Sequence, residues 1–148
     1  MDKIKRQLSV LRAFQVKYPK SHVGGSIGLF LHGVDLKRNM YYSDLDITTP
    51  EFTEISNPNI NGCSPVEDYD HRYQIDDPKT GHFFKLEIRI DDEQPDFDVV
   101  NFEGVNYNIT KKETILMWKQ KYAENGNQKH INDLITIATG VRPKEIKN

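Results

Sequence analysis

The chain has 148 residues, of which 28% are charged, and its formal net charge is −2. This length suits a single domain over residues 1–148 with a buried core, and this charge excludes strong bulk binding to nucleic acid, although a local basic patch stays open. The lone cysteine, Cys63, excludes an internal disulfide and a cysteine zinc cluster. Since no apolar run approaches the ~18 residues of a membrane helix, we expect a cytoplasmic protein without membrane contact.

A helix, a short strand and a second helix are predicted first along the chain. Residues 3–17 carry apolar side chains at helical spacing, namely Ile4, Leu8, Leu11 and Phe14. The predicted helix ends near Pro19. Residues 21–24 favour a short strand that leads into a helix over residues 26–33.

The junction between that strand and that helix contains Gly24, Gly25 and Ser26. The start of a helix carries unpaired N–H groups and a partial positive charge, so these residues could hold a phosphate. Ser26 has a simpler interpretation as a helix cap without any ligand.

Two aspartates follow at positions i and i+2, with Leu45 between them and Ile47 after them. In a strand Asp44 and Asp46 point to one face and the two apolar residues to the other. Two carboxylates on one face suit a hard divalent cation such as Mg²⁺ or Mn²⁺.

A β-hairpin is predicted next, from residues 66–75 and 82–90 around the turn-forming residues 76–81. Residues 51–65, before it, predict an irregular loop over the site. The second strand alternates, with one apolar face, Phe84, Leu86, Ile88 and Ile90, and one mostly polar face, Phe83, Lys85, Glu87 and Arg89.

The last third of the chain predicts two strands and two helices. Residues 97–110 form strands around Glu103 and Gly104. Thr110 and Glu113 match a capping box that starts a helix ending near Asn125. The final helix covers residues 130–139, with a predicted apolar face of Ile131, Leu134, Ile135 and Ala138.

The Gly-Gly-Ser turn followed by an Asp-x-Asp strand resembles the signature of the nucleotidyltransferase superfamily. It looks most like the minimal branch that includes lincosamide-type antibiotic nucleotidyltransferases and abortive-infection type toxins. The resemblance implies an α+β fold with a small mixed β-sheet flanked by helices.

The resemblance also implies further site residues. A third carboxylate on a later strand corresponds to Glu87, whose alternative interpretation is an exposed cross-strand salt bridge. An arginine before the first aspartate corresponds to Arg38. A lysine on the first of the last two helices corresponds to Lys119, and an aspartate on the second corresponds to Asp133. Two neighbouring lysines, Lys121 and Lys129, are equally basic alternatives to Lys119.

The activity that this resemblance implies is metal-dependent transfer of a nucleoside monophosphate from a nucleoside triphosphate such as ATP to an acceptor hydroxyl, with release of pyrophosphate. The expected catalytic residues and metal ligands are Asp44, Asp46 and Glu87. The expected nucleotide-binding residues are Gly24, Gly25, Ser26 and Lys119.

Two other functions stay open at this point. The chain could be a nucleotide-binding or partner-binding module that keeps the fold without the chemistry. It could also be a toxin whose acceptor is transfer RNA or a protein. The sequence does not decide whether the acceptor is a small molecule, an RNA or a protein.

Overall fold

The computed structural model describes residues 4–41, 43–50, 63–66, 71–77, 79–91 and 96–144. Within these ranges the chain forms an α+β fold of four helices and seven strands, as the resemblance implies. In chain order they are α1 Lys5–Lys17, β1 His22–Val23, α2 Gly25–Leu31, β2 Leu45–Thr49, β3 Cys63–Pro65, β4 Arg72–Asp76, β5 Phe83–Ile90, β6 Phe97–Phe102, β7 Val105–Thr110, α3 Lys112–Glu124 and α4 Gln128–Thr139.

The strands form one mixed sheet in the order β3-β4-β5-β2-β1-β7-β6. The central strand β2 pairs in parallel with β5 and antiparallel with β1, and β1 pairs in parallel with β7. The predicted hairpin of β4 and β5 is confirmed, although β4 begins at Arg72, later than predicted.

The sheet has one apolar and one polar face because its central strands alternate as predicted. Leu45 and Ile47 of β2 lie beside Leu86 and Ile88 of β5, and all four are buried. Helix α1 crosses this face, since the Arg6 guanidinium donates to the carbonyl of Asp76 on β4 (3.1 Å) and the Gln15 amide donates to the carbonyl of Asn108 on β7 (3.3 Å). The buried core is therefore on the α1 side, and the polar face is left for the site.

The predicted capping box at the start of α3 is wrong. Thr110 is the last residue of β7, and α3 begins at Lys112 with no side chain capping it. The Thr110 hydroxyl lies instead 2.6 Å from Nδ1 of His22 on β1. This long-range contact with β1 holds Thr110 in the sheet.

Helix α4 presents a different face to the protein from the one its apolar residues predict. Its buried residues are polar, namely Asn132, Asp133 and Thr136. Ile135, predicted to be buried, is 40% exposed. The reason is that Asp133 accepts several buried hydrogen bonds, described below, and this fixes the rotation of the helix.

The predicted loop at residues 51–65 can be compared only in part. Residues 51–62 lie outside the described residues. Cys63–Pro65 form β3, which pairs with β4 at the edge of the sheet, because the β4 edge offers a row of backbone hydrogen-bonding groups. In the described part of the chain, no helix has the length and apolar character needed to cross a bilayer.

Candidate active site

A cleft of about 910 Å³ lies over the polar face of the sheet. Its floor comes from β1, β2, β5 and the α2 N-terminus, and its wall from α3 and the first turn of α4. Residues that line it include Gly24, Gly25, Ser26, Asp44, Asp46, Glu87, Trp118, Lys119, Lys129 and His130. The structure thus brings the predicted catalytic and nucleotide-binding residues to one cleft, whereas Arg38 and Asp133 are not among the residues that line it.

Asp46 and Glu87 face each other across the parallel strands β2 and β5. The register pairs them directly, and their carboxyl groups are in hydrogen-bonding contact. Burial, followed by the negative charges of Glu87 and Asp44, raises the pKa of Asp46 to about 7. At neutral pH Asp46 is therefore protonated for part of the time, and a cation beside it would favour its charged form.

Asp44 lies on the same side of the sheet but is turned toward a backbone partner. Its Oδ1 accepts a hydrogen bond from the backbone N–H of Lys85 (3.2 Å). Across the ranges that the structure describes, no three His, Cys, Asp or Glu side chains form a ready-made metal group. Asp46 and Glu87 are in contact, whereas Asp44 acts on Asp46 through its charge.

Glu87 has a second partner, which is the ion pair that the sequence allowed as an alternative. Arg72 of β4 lies directly across from Glu87, and the guanidinium is 2.8 Å from Oε1. Both side chains are partly exposed, at 31% and 38%. Glu87 is therefore held between a cation and the Asp46 carboxyl, so the ion pair and the predicted carboxylate cluster coexist.

Gly25 is positioned against Asp46. Its φ of +60° lies in the left-handed region, and a β-carbon at this position would overlap Oδ2 of Asp46. The neighbouring Gly24 donates its backbone N–H to the carbonyl of Asp46 (2.8 Å). Glycine is thus required at position 25, where the turn packs on the strand that carries the carboxylates, and Gly24 contributes a backbone hydrogen bond to that strand.

Ser26 is held by two cations at the next position. Its Oγ accepts hydrogen bonds from the Arg38 guanidinium (2.6 Å) and from Nζ of Lys119 (3.2 Å). Arg38 comes from the segment after α2 and Lys119 from α3. The arginine and lysine implied by the resemblance therefore meet at the predicted phosphate-binding turn.

Asp133 is the buried anion beneath these cations. Its carboxylate accepts from Nε of Arg38 (3.1 Å), Nζ of Lys119 (2.8 Å) and the Arg142 guanidinium (2.7 Å). Burial alone would raise the pKa of Asp133, but these hydrogen bonds outweigh it and hold the pKa far below its usual range.

This cluster carries more positive than negative charge. The side chains of Arg38, Lys119 and Arg142 are 14%, 2% and 10% exposed, and they share the single carboxylate of Asp133. Burial lowers the pKa of Lys119 although Asp133 stabilises its charged form. An anion at the Ser26 end of the cleft would balance this excess.

His130 completes the wall beside Lys119. Its Nδ1 is 3.3 Å from Nζ of Lys119, and its ring stacks on Tyr122 with ring centroids 5.0 Å apart. Burial and the positive charges of Lys119 and Lys129 lower the pKa of His130 to about 4. The imidazole is therefore neutral at physiological pH and can accept a hydrogen bond from the ammonium.

His22 is a cleft residue that the sequence did not reveal. It is fully buried; its Nδ1 contacts the Thr110 hydroxyl, and its Nε2 has no hydrogen-bond partner among the described residues. Burial lowers its pKa, which keeps the ring neutral. Nothing in its spacing distinguishes it, because its Thr110 partner lies 88 residues away.

The outer wall of the cleft is aromatic. The Arg89 guanidinium of β5 lies 4.4 Å from the centre of the Trp118 ring on α3, and the Lys121 ammonium lies 4.9 Å from it. Tyr122 continues this wall, stacked against Trp118 at 6.1 Å. The contact of Arg89 with Trp118 connects the floor strand to the helical wall.

The donor set suits a hard divalent cation. Asp46 and Glu87 offer closely spaced carboxylate oxygens, and such a cation would neutralise the charges of Glu87 and Asp44 that, after burial, help raise the pKa of Asp46. Asp44 is near enough for its charge to act on Asp46. These three residues would hold the ion.

Comparisons with known proteins agree on the fold. JHP933 from Helicobacter pylori and a candidate nucleotidyltransferase from H. pylori each align with a TM-score of 0.56 and 22% identity over 80% of this chain. An antigenic nucleotidyltransferase-like protein from Paracoccidioides brasiliensis aligns with a TM-score of 0.58 and 18% identity over 90% of this chain.

The chain therefore has a nucleotidyltransferase-like fold. It spans 54% and 56% of the two H. pylori chains and 73% of the P. brasiliensis chain. No model of a known protein family and no curated protein sequence matches it.

Proposed function

We propose that this protein is a metal-dependent nucleotidyltransferase, which moves a nucleoside monophosphate from a nucleoside triphosphate to an acceptor hydroxyl and releases pyrophosphate. One observation carries the proposal: the cleft brings a group of carboxylates and a group of cations side by side in a single fold. Asp46 and Glu87 supply the carboxylates, and Arg38 and Lys119 supply the cations, which meet at Ser26. A triphosphate with a divalent cation requires both groups.

Each group of residues has a defined part in this reaction. Ser26 and Lys119, with the backbone N–H of Gly25, would orient the phosphates, and Gly24 would position this turn through its bond to the Asp46 carbonyl. Asp44, Asp46 and Glu87 would hold Mg²⁺ or Mn²⁺, which when bound supplies charge neutralisation at the phosphates and lowers the pKa of the acceptor hydroxyl.

The bond changes follow from that arrangement. The acceptor oxygen forms a bond to the α-phosphorus, and the bond from this phosphorus to the β-phosphate oxygen breaks. The hydroxyl proton passes to one of the floor carboxylates, and the departing pyrophosphate keeps the electron pair of the broken bond. Because Lys119 is a buried donor at the phosphate end, it would stabilise the charge that the pyrophosphate gains.

A binding module without chemistry is the second candidate. It is favoured by two contacts, the ion pair of Arg72 with Glu87 and the hydrogen bond of the Lys85 N–H to Asp44, since both occupy carboxylates that the reaction needs. Such a module would bind nucleotide and leave it intact. The acceptor, whether a small molecule, an RNA or a protein, is also a matter for experiment.

Incubation with triphosphates labelled separately at the α- and γ-phosphates, with Mg²⁺ and a cell lysate, distinguishes these candidates. Transfer of the α-label to an acceptor, with the γ-label recovered in pyrophosphate, is the expected result. Glu87→Gln should abolish transfer, and Glu113→Gln, an exposed glutamate on α3, should not. Nucleotide that binds but stays intact would establish the binding module and overturn the enzyme.

A further inference from the structure

Lys129 is the second residue of α4 after its Asn127 cap, and its side chain is exposed. It lines the same cleft as Ser26 and Asp46. The next residue, His130, touches the Lys119 ammonium. Lys129 is thus an exposed cation in the cleft, next in sequence to a residue that contacts the buried Lys119.

Several charges near this lysine repel it. The first turn of a helix carries a partial positive charge, which normally favours acidic residues. After burial, which is the main cause, the charge of Lys129 helps lower the pKa of both Lys119 and His130. Lys129 forms no hydrogen bond or ion pair within the described ranges, although its charge is attracted to Asp46, so an anion in the cleft would make its placement more favourable.

Lys129 shares the cleft with residues of the sheet as well as with those of the helical wall. Lys129 lines the cleft together with Asp46, Glu87 and Lys119, so it faces the same space as the carboxylate floor and the buried cations. A triphosphate bridging those two sites would pass beside it. Lys121, by contrast, lies over the Trp118 ring and does not line the cleft as the described residues form it.

We propose that Lys129 binds the β- and γ-phosphates of the nucleotide, the part that leaves as pyrophosphate, as a second cation beside Lys119. This rests on the proposed nucleotidyltransferase function. When the bond between the α-phosphorus and the β-phosphate oxygen breaks, that oxygen gains negative charge. The Lys129 ammonium donates a hydrogen bond to this phosphate group, and it withdraws to solvent when pyrophosphate departs.

Calorimetric titration with pyrophosphate and Mg²⁺ at low salt tests the proposal in the full chain. Lys129→Gln should weaken binding about tenfold, as expected for the loss of one charge-assisted hydrogen bond. Lys129→Arg should restore most of the affinity, because it keeps the charge. Lys121→Gln removes an equal charge from the neighbouring helix and should bind within about twofold of the wild type.

Each outcome has a distinct meaning. If Lys129→Gln binds pyrophosphate as the wild type does, or if Lys121→Gln loses as much affinity, the role of Lys129 is overturned while the proposed function stands. If the wild type binds neither pyrophosphate nor any nucleoside triphosphate, the phosphate site itself is absent, and both proposals fail. Thermal melts of all four proteins check that the variants are folded.

Discussion

The carboxyl of Asp46 lies against the α-carbon of Gly25, so closely that a β-carbon there would overlap Oδ2 of Asp46. The strand that carries the carboxylates and the turn that would hold the phosphates are therefore in direct contact. Any change in one displaces the other, which makes this contact the most sensitive point of the candidate site.

Gly25→Ala should accordingly reduce nucleotide transfer by a factor on the order of 100, because Asp46 must move and the left-handed backbone at Gly25 becomes strained. Gly33→Ala is the matched control, since Gly33 also has a positive φ, of +85°, but open space around it. It should cost about 1 kcal/mol of folding stability and leave transfer intact. Rates and thermal melts of both variants check this, and equal activity losses would refute it.

Asp46→Asn should stabilise the metal-free protein at pH 8. The folded-state pKa of Asp46 is raised from 3.8 to about 7, so the stability that its proton contributes is fully present below pH 3.8 and is lost as the pH rises through 7. The asparagine does not titrate, so the variant avoids this loss. Its free energy of unfolding should exceed that of the wild type by on the order of 2–4 kcal/mol at pH 8, and the difference should disappear near pH 4. Urea unfolding across this pH range measures it.

The exposed Asp96→Asn is the control for that experiment, and it should change stability by less than about 0.5 kcal/mol at every pH. A wild-type stability that stays level between pH 5 and pH 8 would contradict the burial and charge crowding inferred for Asp46.

Mg²⁺ or Mn²⁺ should raise the melting temperature of the wild type, and more so together with a nucleoside triphosphate, because the ions bind the folded carboxylates only. A ligand at a hundred times its Kd adds about 2.7 kcal/mol, or roughly 5–10 °C for a chain of this size. Glu87→Gln should lose the shift from metal alone while keeping part of the shift from nucleotide. No shift in any combination would remove the case for a metal site.

Asp133→Asn should destabilise the protein by about 3–5 kcal/mol at pH 7, because it leaves the buried charges of Arg38, Lys119 and Arg142 without their anion. The depressed pKa of Asp133 contributes stability above pH 4, and this stability is lost as the pH falls through the pKa of the folded state. The difference in unfolding free energy between the wild type and the variant should therefore become smaller in acid. Asp98→Asn breaks an exposed ion pair with Lys111 and should cost at most about 1 kcal/mol. Equal costs in chemical unfolding would show that the Asp133 cluster is not buried as described.

The carboxylate floor could be predicted from the sequence because strand alternation is a local signal. Asp44 and Asp46 flank an apolar residue, and Glu87 lies between two apolar residues. Because side chains alternate along a strand, this pattern alone predicts the side of the sheet to which each carboxylate points. The structure places all three on the cleft side. Their chemical roles stay a prediction.

The helical wall could not be predicted in the same way. The apolar spacing of α4 indicated a buried face that includes Ile135, whereas the structure buries Asp133, since three cations from distant segments converge on it. The spacing of Arg38 from Asp44 likewise gave no indication that its guanidinium would reach Ser26. Charge pairing between distant segments determines both the rotation of α4 and the position of the Arg38 guanidinium. Such pairing cannot be predicted from local periodicity.

The parallel pairing of β2 with β5 has a consequence for how the protein acquires its site. Asp46 and Glu87 are about forty residues apart along the chain and meet only when these strands align, and a slip of one residue would turn Glu87 into the core. Pairing over such a separation requires closure of a long loop, which is slow compared with helix formation. A partly synthesised or partly folded chain therefore lacks the carboxylate pair, and the onset of metal binding would report the moment at which the central sheet is complete.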